Sequence, residues 1–486
     1  MNLKKSIRDK YETVIGLEVH AQLRTESKIF AADATTYGDV PNTNISVITL
    51  AHPGTLPKFN WKALGYAIKM GLACNCEITR ENIFDRKNYF YPDLPKGYQL
   101  TQDKTPICQG GYVKIKNGEG VEKKLTLHKI HLEEDAGKSI HLSGEEDTLI
   151  DFNRAGVPLI EIVTEPVLRS AEEAGLLLSE IRKLVRYLEI CDGNMEQGSL
   201  RCDANVSIML KGASAYGEKV EVKNMNSIRN VQRAIEYEIK RQINLIEARE
   251  EVVSETRTFN ADTYTTASMR TKETLNDYRY FPDPDLSPVV VSESWLEKLK
   301  REMPVLPDQL MEKFTSHYKL PEYDALFLTE TREIAAYFEE ICLKDGHPKS
   351  VSNWMMGPVK SVLNDNNWQI TDFPIDANTM AALIQMVLDD VLSFTVASRQ
   401  VFPELLKNPD QDPLSIAKEH HLIQQNDTDS IQPIIDEVIA RFPDKVKAYR
   451  HGKKGLIGMF MGEVMKKSKV KVDPKLANEL LRKTLG

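Results

Sequence analysis

The segment Ser199-Leu-Arg-Cys-Asp-Ala-Asn-Val-Ser-Ile208 alternates without a break. Leu200, Cys202, Ala204, Val206 and Ile208 form an apolar set, while Ser199, Arg201, Asp203, Asn205 and Ser207 can all hydrogen-bond. Only an extended strand sends successive side chains to opposite sides, so the pattern predicts a half-buried strand with a wholly polar second face. Such a face either lines a wet cleft or simply meets solvent.

Other stretches place further charged groups on strands. In Val14-Ile-Gly-Leu-Glu-Val-His20, alternation puts Glu18 and His20 on one face with Gln22 beside them. In His128-Lys-Ile-His-Leu-Glu-Glu-Asp-Ala-Gly137, Glu133 and Asp135 point opposite to Glu134. Glu161 interrupts the apolar run Val157-Pro-Leu-Ile-Glu-Ile-Val163, where a lone acid is costly to bury without a partner. Hard divalent ions take oxygen ligands, a few carboxylates together with substrate phosphates. Carboxylates from separate strands beside a neutral imidazole suit a nucleotide-bound metal, with Arg or Lys steadying the transferring group. Each acid alone reads equally well as a salt-bridge partner, so the chemical reading rests on the combination.

With 486 residues the chain has length for about three domains at roughly 150 residues each. The first part, to about residue 295, reads as α+β. Its β-type runs are Thr13–Leu23, Ser46–Leu50, Lys123–Leu132 and Val157–Thr164, and turn residues bound them. Ser170 and Glu173 form a capping box ahead of Ala174, Leu177, Leu178, Ile181, Leu184, Val185 and Leu188, one stripe at helical period. A second helix is expected over about Ser227–Glu250, with Ile228, Val231, Ile235, Ile239, Ile243 and Ile246 facing the core. The passage Phe281-Pro-Asp-Pro-Asp-Leu-Ser-Pro288 reads as a rigid boundary. Helical patterns follow at Ser294–Glu302, Glu330–Lys344 and Thr379–Leu392, and Asn408–Pro413 with Gln424–Ser430 marks a second boundary.

A hydrophobic content of 41% and a charged content of 28% fit an ordinary soluble globular protein. The charged start, Met1 to Thr13, lacks a signal peptide's apolar core, and no run approaches about 18 apolar residues. A cytoplasmic protein with no membrane contact is expected. Six scattered cysteines make no disulfide framework, and Cys74 and Cys76 have no second pair at zinc-ligand spacing. The net charge of −8 argues against a uniformly basic nucleic-acid binder. Yet from Lys445 onward twelve Lys/Arg face three Asp/Glu, which makes the end of the chain a candidate phosphate-contacting module or a solvated helical face. Ala136-Gly-Lys-Ser139 imitates the end of a P-loop, but position 132 is leucine where that motif needs glycine. No Ser-based amidase signature is present, so the chain is not expected to release ammonia from glutamine.

Several long motifs, in order, carry a resemblance. They are Val14-Ile-Gly-Leu-Glu-Val-His20, Asp85-Arg-Lys-Asn-Tyr-Phe-Tyr-Pro-Asp93, Leu132-Glu-Glu-Asp-Ala-Gly-Lys138, Pro158-Leu-Ile-Glu-Ile-Val163, Gly198-Ser-Leu-Arg-Cys-Asp-Ala-Asn205, Val222-Lys-Asn-Met-Asn-Ser227 and Asp277-Tyr-Arg-Tyr-Phe-Pro-Asp283. The chain resembles the B subunits of the glutamyl-tRNA(Gln)/aspartyl-tRNA(Asn) amidotransferases. The resemblance implies a cradle domain with a glutamine-synthetase-like core at 1–293, an all-α domain at 294–410 and a YqeY-like, tRNA-binding tail at 411–486. It implies a ligase subunit that uses ATP to phosphorylate the side-chain carboxylate of Glu or Asp esterified to tRNA. Ammonia from a partner glutaminase A subunit then displaces the phosphate, and the heterotrimer is held together by a small C subunit. By position, Glu18, His20, Glu134 and Glu161 would hold Mg²⁺ and form the catalytic pocket, with Arg201 and Asp203 also catalytic. Glu133 and Asp135 are neighbours without an assigned contact. Asn205, Lys223 and Asn224 would line the cleft, and Lys87 and Tyr89 would lie on the ammonia route. Some members carry a cysteine zinc site before their P-G-x-L-P stretch. Phe30–Thr35 and Ile48–Pro53 contain no cysteine here, so zinc is not expected and packing should hold that corner.

In the tail, Leu456, Met459, Phe460 and Val464 fall at helical spacing, and Gly458 and Gly462 would permit close approach to another backbone. Lys453, Lys454, Lys466, Lys467, Lys469 and Lys471 flank them, which fits docking on tRNA phosphates and shape. An internal helix–helix contact is the alternative. Two other functions fit less of the chain. A synthetase-like enzyme has support in Lys466-Lys-Ser-Lys-Val470, distantly similar to a synthetase lysine loop, but no H-I-G-H-like motif accompanies it. A non-catalytic tRNA-binding scaffold would make every acid structural.

Overall fold

The computed structural model describes all residues except 1–3, 143, 145, 272–277, 346, 424–427, 469–471 and 473. The chain forms two compact units, Met1–Leu306 and Pro307–Gly486. Among the described residues the first is built on a 13-stranded mixed sheet. Its main strands are β1 (Tyr11–Gln22), β2 (Asp85–Asn88), β3 (Tyr98–Thr101), β4 (Glu122–Glu134), β5 (Pro158–Thr164), β6 (Leu200–Leu210), β7 (Val220–Met225), β8 (Glu255–Asn260), β9 (Thr265–Thr271) and β10 (Arg279–Pro282). They lie in the order β9-β8-β7-β6-β1-β5-β4-β3-β2-β10. Neighbours along this path run antiparallel except β7 and β8, which are parallel.

Alternation decides which face of this sheet is buried. Leu17, Val19 and Ala21 of β1 and Leu200, Cys202, Ala204 and Val206 of β6 enter one core. Helices α1 (Trp61–Ala73), α2 (Ala171–Tyr187) and α3 (Ile228–Glu247) pack against strands of the sheet. Ser170 caps α2 by accepting the Glu173 N–H at 3.1 Å. The Glu173 carboxylate accepts from Arg169 N at 2.8 Å, one residue before the expected capping-box donor. Ser227 caps α3 in the same way through Asn230 N. On α3, Val231, Ile235, Ile239 and Ile243 are buried, and each contributes roughly 1.5–3 kcal/mol against exposure.

Two local expectations fail. Ser46–Leu50 is a turn rather than a strand, because its hydroxyls satisfy local groups. Asp33 accepts from Ser46 Oγ at 2.9 Å and also from Thr49 Oγ1, so hydrogen bonds as well as packing hold that corner. The Phe281–Pro288 passage is not simply a boundary. Its first residues belong to β10, where proline is tolerated because an edge strand leaves some N–H positions unpaired. Beyond it, helix α4 (Glu293–Arg301) stays in the first unit and packs on α1, with Trp61 and Trp295 edge to face at 5.8 Å.

The second unit is helical. Helices α5 (Arg332–Asp345) and α6 (Ala377–Leu388) pack on each other. Helices α7 (Thr428–Arg441), α8 (Ile457–Lys467) and α9 (Pro474–Leu485) share a separate core with Ile435, Phe460, Val464 and Leu481 at its centre. Nothing lies within 4 Å of a Cβ built on Gly458 or Gly462, so neither glycine serves a close approach among the described residues. Lys469 and Lys471 lie outside the described residues. No described helix is long and apolar enough to cross a membrane.

Candidate active site

Side chains opposite one another on paired strands share a face. The registers therefore carry one polar face across the sheet. Glu221 of β7 pairs with Asn205, Asp203 with Glu18, Arg201 with His20, His20 with Glu161, and Glu161 with His131. The face continues from Glu133 to Thr101, and through Gln99 to Lys87. Residues from seven strands thus meet above a sheet whose other face is core.

Two groups of possible cation ligands form there. His20, Glu133 and Glu161 make one, and Glu18, Asp203 and Glu221 make the other, with the ligand atoms of each group within 4.8 Å of one another. Two unit negative charges about 4 Å apart repel by about 4 kcal/mol at an effective dielectric of about 20. Each group therefore needs a positive charge. His131 supplies it to the first, with Nε2 3.2 Å from Glu133 Oε1 and 3.3 Å from Glu161 Oε2. Burial alone would lower the His131 pKa, but hydrogen bonds to Glu133 and Glu161 raise it to about 9. Its Nδ1 is buried without a partner among the described residues. His20 Nε2 lies 3.6 Å from Glu161. Burial pushes the Glu161 carboxyl up, yet His20 and His131 together hold it well below the ordinary carboxylate range.

Lys223 plays the same part in the second group, donating to Asp203 at 2.5 Å and lying 2.9 Å from Glu221. Burial opposes its charge, but Asp203 and Glu221 raise its pKa. Asn205 Nδ2 donates to Glu18 Oε1 at 2.9 Å, while Asn205 Oδ1 is a buried acceptor without a partner among the described residues. Burial and the nearby Glu161 charge raise the Glu18 carboxyl.

At the edges of the face lie further cations. Arg201 Nη2 donates to Asp135 Oδ1 at 2.9 Å, and Gln22 Nε2 donates to Asp135 Oδ2 at 2.7 Å. Burial works against the Lys87 charge, but Glu133 and other neighbours raise its pKa, and its ammonium sits 4.9 Å from the Tyr278 ring centre. Tyr89 stands beside it, with its hydroxyl 3.5 Å from Gln99 Oε1.

The structure thus brings together Glu18, His20, Glu161, Arg201, Asp203, Asn205 and Lys223, with Lys87 and Tyr89 at one end. It does not bring Glu134 with them. Glu134 pairs across β5 with Pro158, on the opposite face, where it binds Lys96 and accepts Leu100 N at 3.0 Å. Glu133 takes its place, fixed by Thr101 Oγ1 at 2.9 Å and Gln99 Nε2 at 3.2 Å. Asn224 is the exposed bulge residue of β7, with φ 65°, and donates to Thr258 rather than to either group. His131 and Glu221 belong to the site and were not singled out from the sequence. Alternation from Glu133 and from Lys223 points to both.

Comparison with known proteins gives the chain's family. The GatB/GatE catalytic domain matches residues 13–297, and the GatB domain matches residues 336–485. A protein of Thermodesulfovibrio yellowstonii is 48% identical over 98% of this chain and 99% of its own length. One of Geobacter sp. strain M21 is 47% identical with the same coverage, and one of Synechococcus sp. is 44% identical over all of both chains. All three carry the name of the B subunit of aspartyl/glutamyl-tRNA(Asn/Gln) amidotransferase. A domain match over more than half the residues, with relatives aligned from end to end, means that the chain belongs to the family of aspartyl/glutamyl-tRNA(Asn/Gln) amidotransferase B subunits.

Proposed function

We propose that this chain is the ATP-using subunit of a tRNA-dependent amidotransferase. It activates the side-chain carboxylate of Glu on tRNA(Gln), or of Asp on tRNA(Asn), as an acyl phosphate, and ammonia then displaces the phosphate to leave the amide. The observation that carries this reading is the pair of carboxylate groups side by side on one polar face, with lysine and arginine at its margins.

Mg²⁺ fits the donor set, because five carboxylates, one imidazole and the unpartnered Asn205 Oδ1 are hard or borderline ligands. When bound, Mg²⁺ neutralises phosphate charge and polarises the transferred phosphoryl group. The protein's own residues do the positioning. Arg201, held by Asp135, presents a fixed cation to developing negative charge. Lys87, kept charged beside Glu133, can orient the substrate carboxylate, and with Tyr89 it borders the approach assigned to ammonia.

The remaining assignments follow from the family. A glutaminase A subunit and a small C subunit complete a heterotrimer in the cytoplasm; zinc is left out of the proposal because Phe30–Thr35 and Ile48–Pro53 contain no cysteine. The boundary at 410 gives the tail its own module, which the separate core around Phe460 supports. Lys453, Lys454, Lys466 and Lys467, with Lys469 and Lys471, would meet tRNA phosphates.

The test is a reconstituted complex assayed for amide formation that depends on glutamine, ATP and Glu-tRNA(Gln). Aminoacyl-tRNA-dependent phosphate release should accompany it and vanish in Glu133→Gln, with tRNA binding retained. Full ATP cleavage by that variant would make this chain a scaffold instead.

A further inference from the structure

Strand β8 carries little apolar pattern. In Glu255-Thr-Arg-Thr-Phe-Asn260 the one apolar side chain is Phe259. A strand polar on both sides has its register weakly specified by burial. Yet β8 pairs with β7 in a defined parallel register, Glu221 with Thr256, Val222 with Arg257 and Lys223 with Thr258.

The core side of β8 holds the reason. There Glu255 and Arg257 meet Glu238 and Arg241 of α3 in a ring of four charges, and Glu238 is fully buried. Arg241 Nη2 donates to Glu238 Oε1 at 2.6 Å and lies 3.5 Å from Glu255 Oε1. Arg257 Nη1 donates to Glu255 Oε1 at 2.5 Å, and its Nε donates to Thr266 Oγ1 of β9 at 2.8 Å. Apolar side chains would hold a strand at least as firmly as buried charges do, so what the ring adds is a unique register. A slip of one residue would break the ring and turn Glu255 or Arg257 toward Glu221.

On the other side of the same strand lies Thr256, which is buried. Its Oγ1 donates to Glu221 Oε2 at 2.8 Å, while Lys223 lies 2.9 Å from Glu221 Oε1. The two oxygens of Glu221 are thus held by groups of different kinds. Lys223 is a charge on a flexible stem and can withdraw when another cation arrives. Thr256 is neutral, short and stiff at χ1, so it can stay.

We propose that Thr256 is a positioning residue for the second cation group. It keeps Glu221 aimed at Glu18 and Asp203 when Lys223 gives way to a divalent cation, and the ring of charges beneath β8 fixes Thr256 in place. The inference rests on reading the polar face as a metal-assisted ATP site, and it deepens that reading with a residue that touches no cation itself. Partners that orient metal-binding side chains typically carry about 10- to 100-fold in affinity.

The test uses the assembled amidotransferase with Mn²⁺ as probe, free ion being followed by electron paramagnetic resonance. Asp203→Asn removes a ligand of the second group and so identifies its site in the binding curve. Thr256→Val keeps the shape without the hydroxyl and should weaken that same site about tenfold, leaving the other within about twofold. Thr256→Ser should bring the affinity back to within about threefold of wild type. In amide formation, Thr256→Val should raise the Mg²⁺ concentration for half-maximal rate by about tenfold, with kcat at saturating Mg²⁺ and KM for aminoacyl-tRNA little changed. Thr256→Ala serves if Thr256→Val fails to fold. Unchanged Mn²⁺ binding in the folded variant would overturn the role of Thr256. Equal weakening of both sites, or no recovery in Thr256→Ser, would overturn it too, by marking a general loss of packing. Wild-type enzyme from which Asp203→Asn removes no ion would sink the reading of the second group itself, whereas a normal site with indifferent Thr256 variants would sink the positioning role alone.

Discussion

Glu133 and Glu134 are consecutive residues of one strand, and the sheet separates them. Glu133 faces His131 at 3.2 Å among the carboxylates, and Glu134 turns to Lys96 and the Leu100 amide at 3.0 Å. Their substitutions should therefore fail differently. Glu133→Gln removes a charge from the first cation group and should lower aminoacyl-tRNA-dependent ATP cleavage by roughly 100-fold or more. Glu134→Gln breaks a buried ion pair, so stability should fall by up to about 3 kcal/mol while kcat stays within about tenfold. Parallel measurement of phosphate release and chemical unfolding separates the two. Equal loss of kcat in both variants would contradict the facing.

Lys223 stands between Asp203 and Glu221 and offsets their repulsion. Lys223→Met should lower the thermal midpoint without Mg²⁺, because Glu18, Asp203 and Glu221 are left to repel one another. Saturating Mg²⁺ should restore more of the loss than it adds to wild type, since binding to the folded state stabilises by mass action. A Mg²⁺ effect of the same size in both proteins would argue against a cation among these three acids.

Lys28 gives a pH signature. Burial lowers its pKa from 10.5 to about 8, although Asp33, Asp151 and Glu134 act to raise it. Between about 8 and 10.5 the unfolded chain holds the proton and the folded chain does not, so this residue's contribution to stability rises with pH. Below about 8 the buried charge costs its full amount, on the order of 3 kcal/mol. Lys28→Met should accordingly be more stable than wild type near neutral pH, with an advantage that shrinks through that window. Denaturant unfolding at several pH values measures it, and a difference independent of pH would refute the buried ammonium.

The tail should bind through charge. Lys467 is already paired with Glu437, so reversing it also removes an internal contact. The double variant Lys466→Glu/Lys467→Glu should weaken aminoacyl-tRNA binding and flatten its salt dependence by about one to two in log–log slope. Unchanged affinity at both low and moderate salt would remove this surface from the interface.

Much of the site's geometry was legible because strands have a fixed period. The alternation of Ser199–Ile208 placed Arg201, Asp203 and Asn205 on one face, and that of Val14–His20 placed Glu18 with His20. The capping box at Ser170 announced one long helix, and the apolar stripe from Ile228 to Ile246 announced the other. Local period also showed that Glu133 and Glu134 point apart, but it could not say which of them meets Glu161. That depends on the register of β4 against β5, where His131 pairs with Glu161, and pairing between distant segments leaves no mark in either one alone. Ser46–Leu50 misled for the opposite reason. Its composition resembles a strand, but short hydroxyl side chains close on Asp33 and make a turn.

The most direct test of the two cation groups is anomalous diffraction from crystals of the assembled complex soaked with Mn²⁺ and a non-hydrolysable ATP analogue. Peaks are expected among His20, Glu133 and Glu161 and among Glu18, Asp203 and Glu221. A peak at Glu134, or none on the polar face at saturating Mn²⁺, would contradict the assignment.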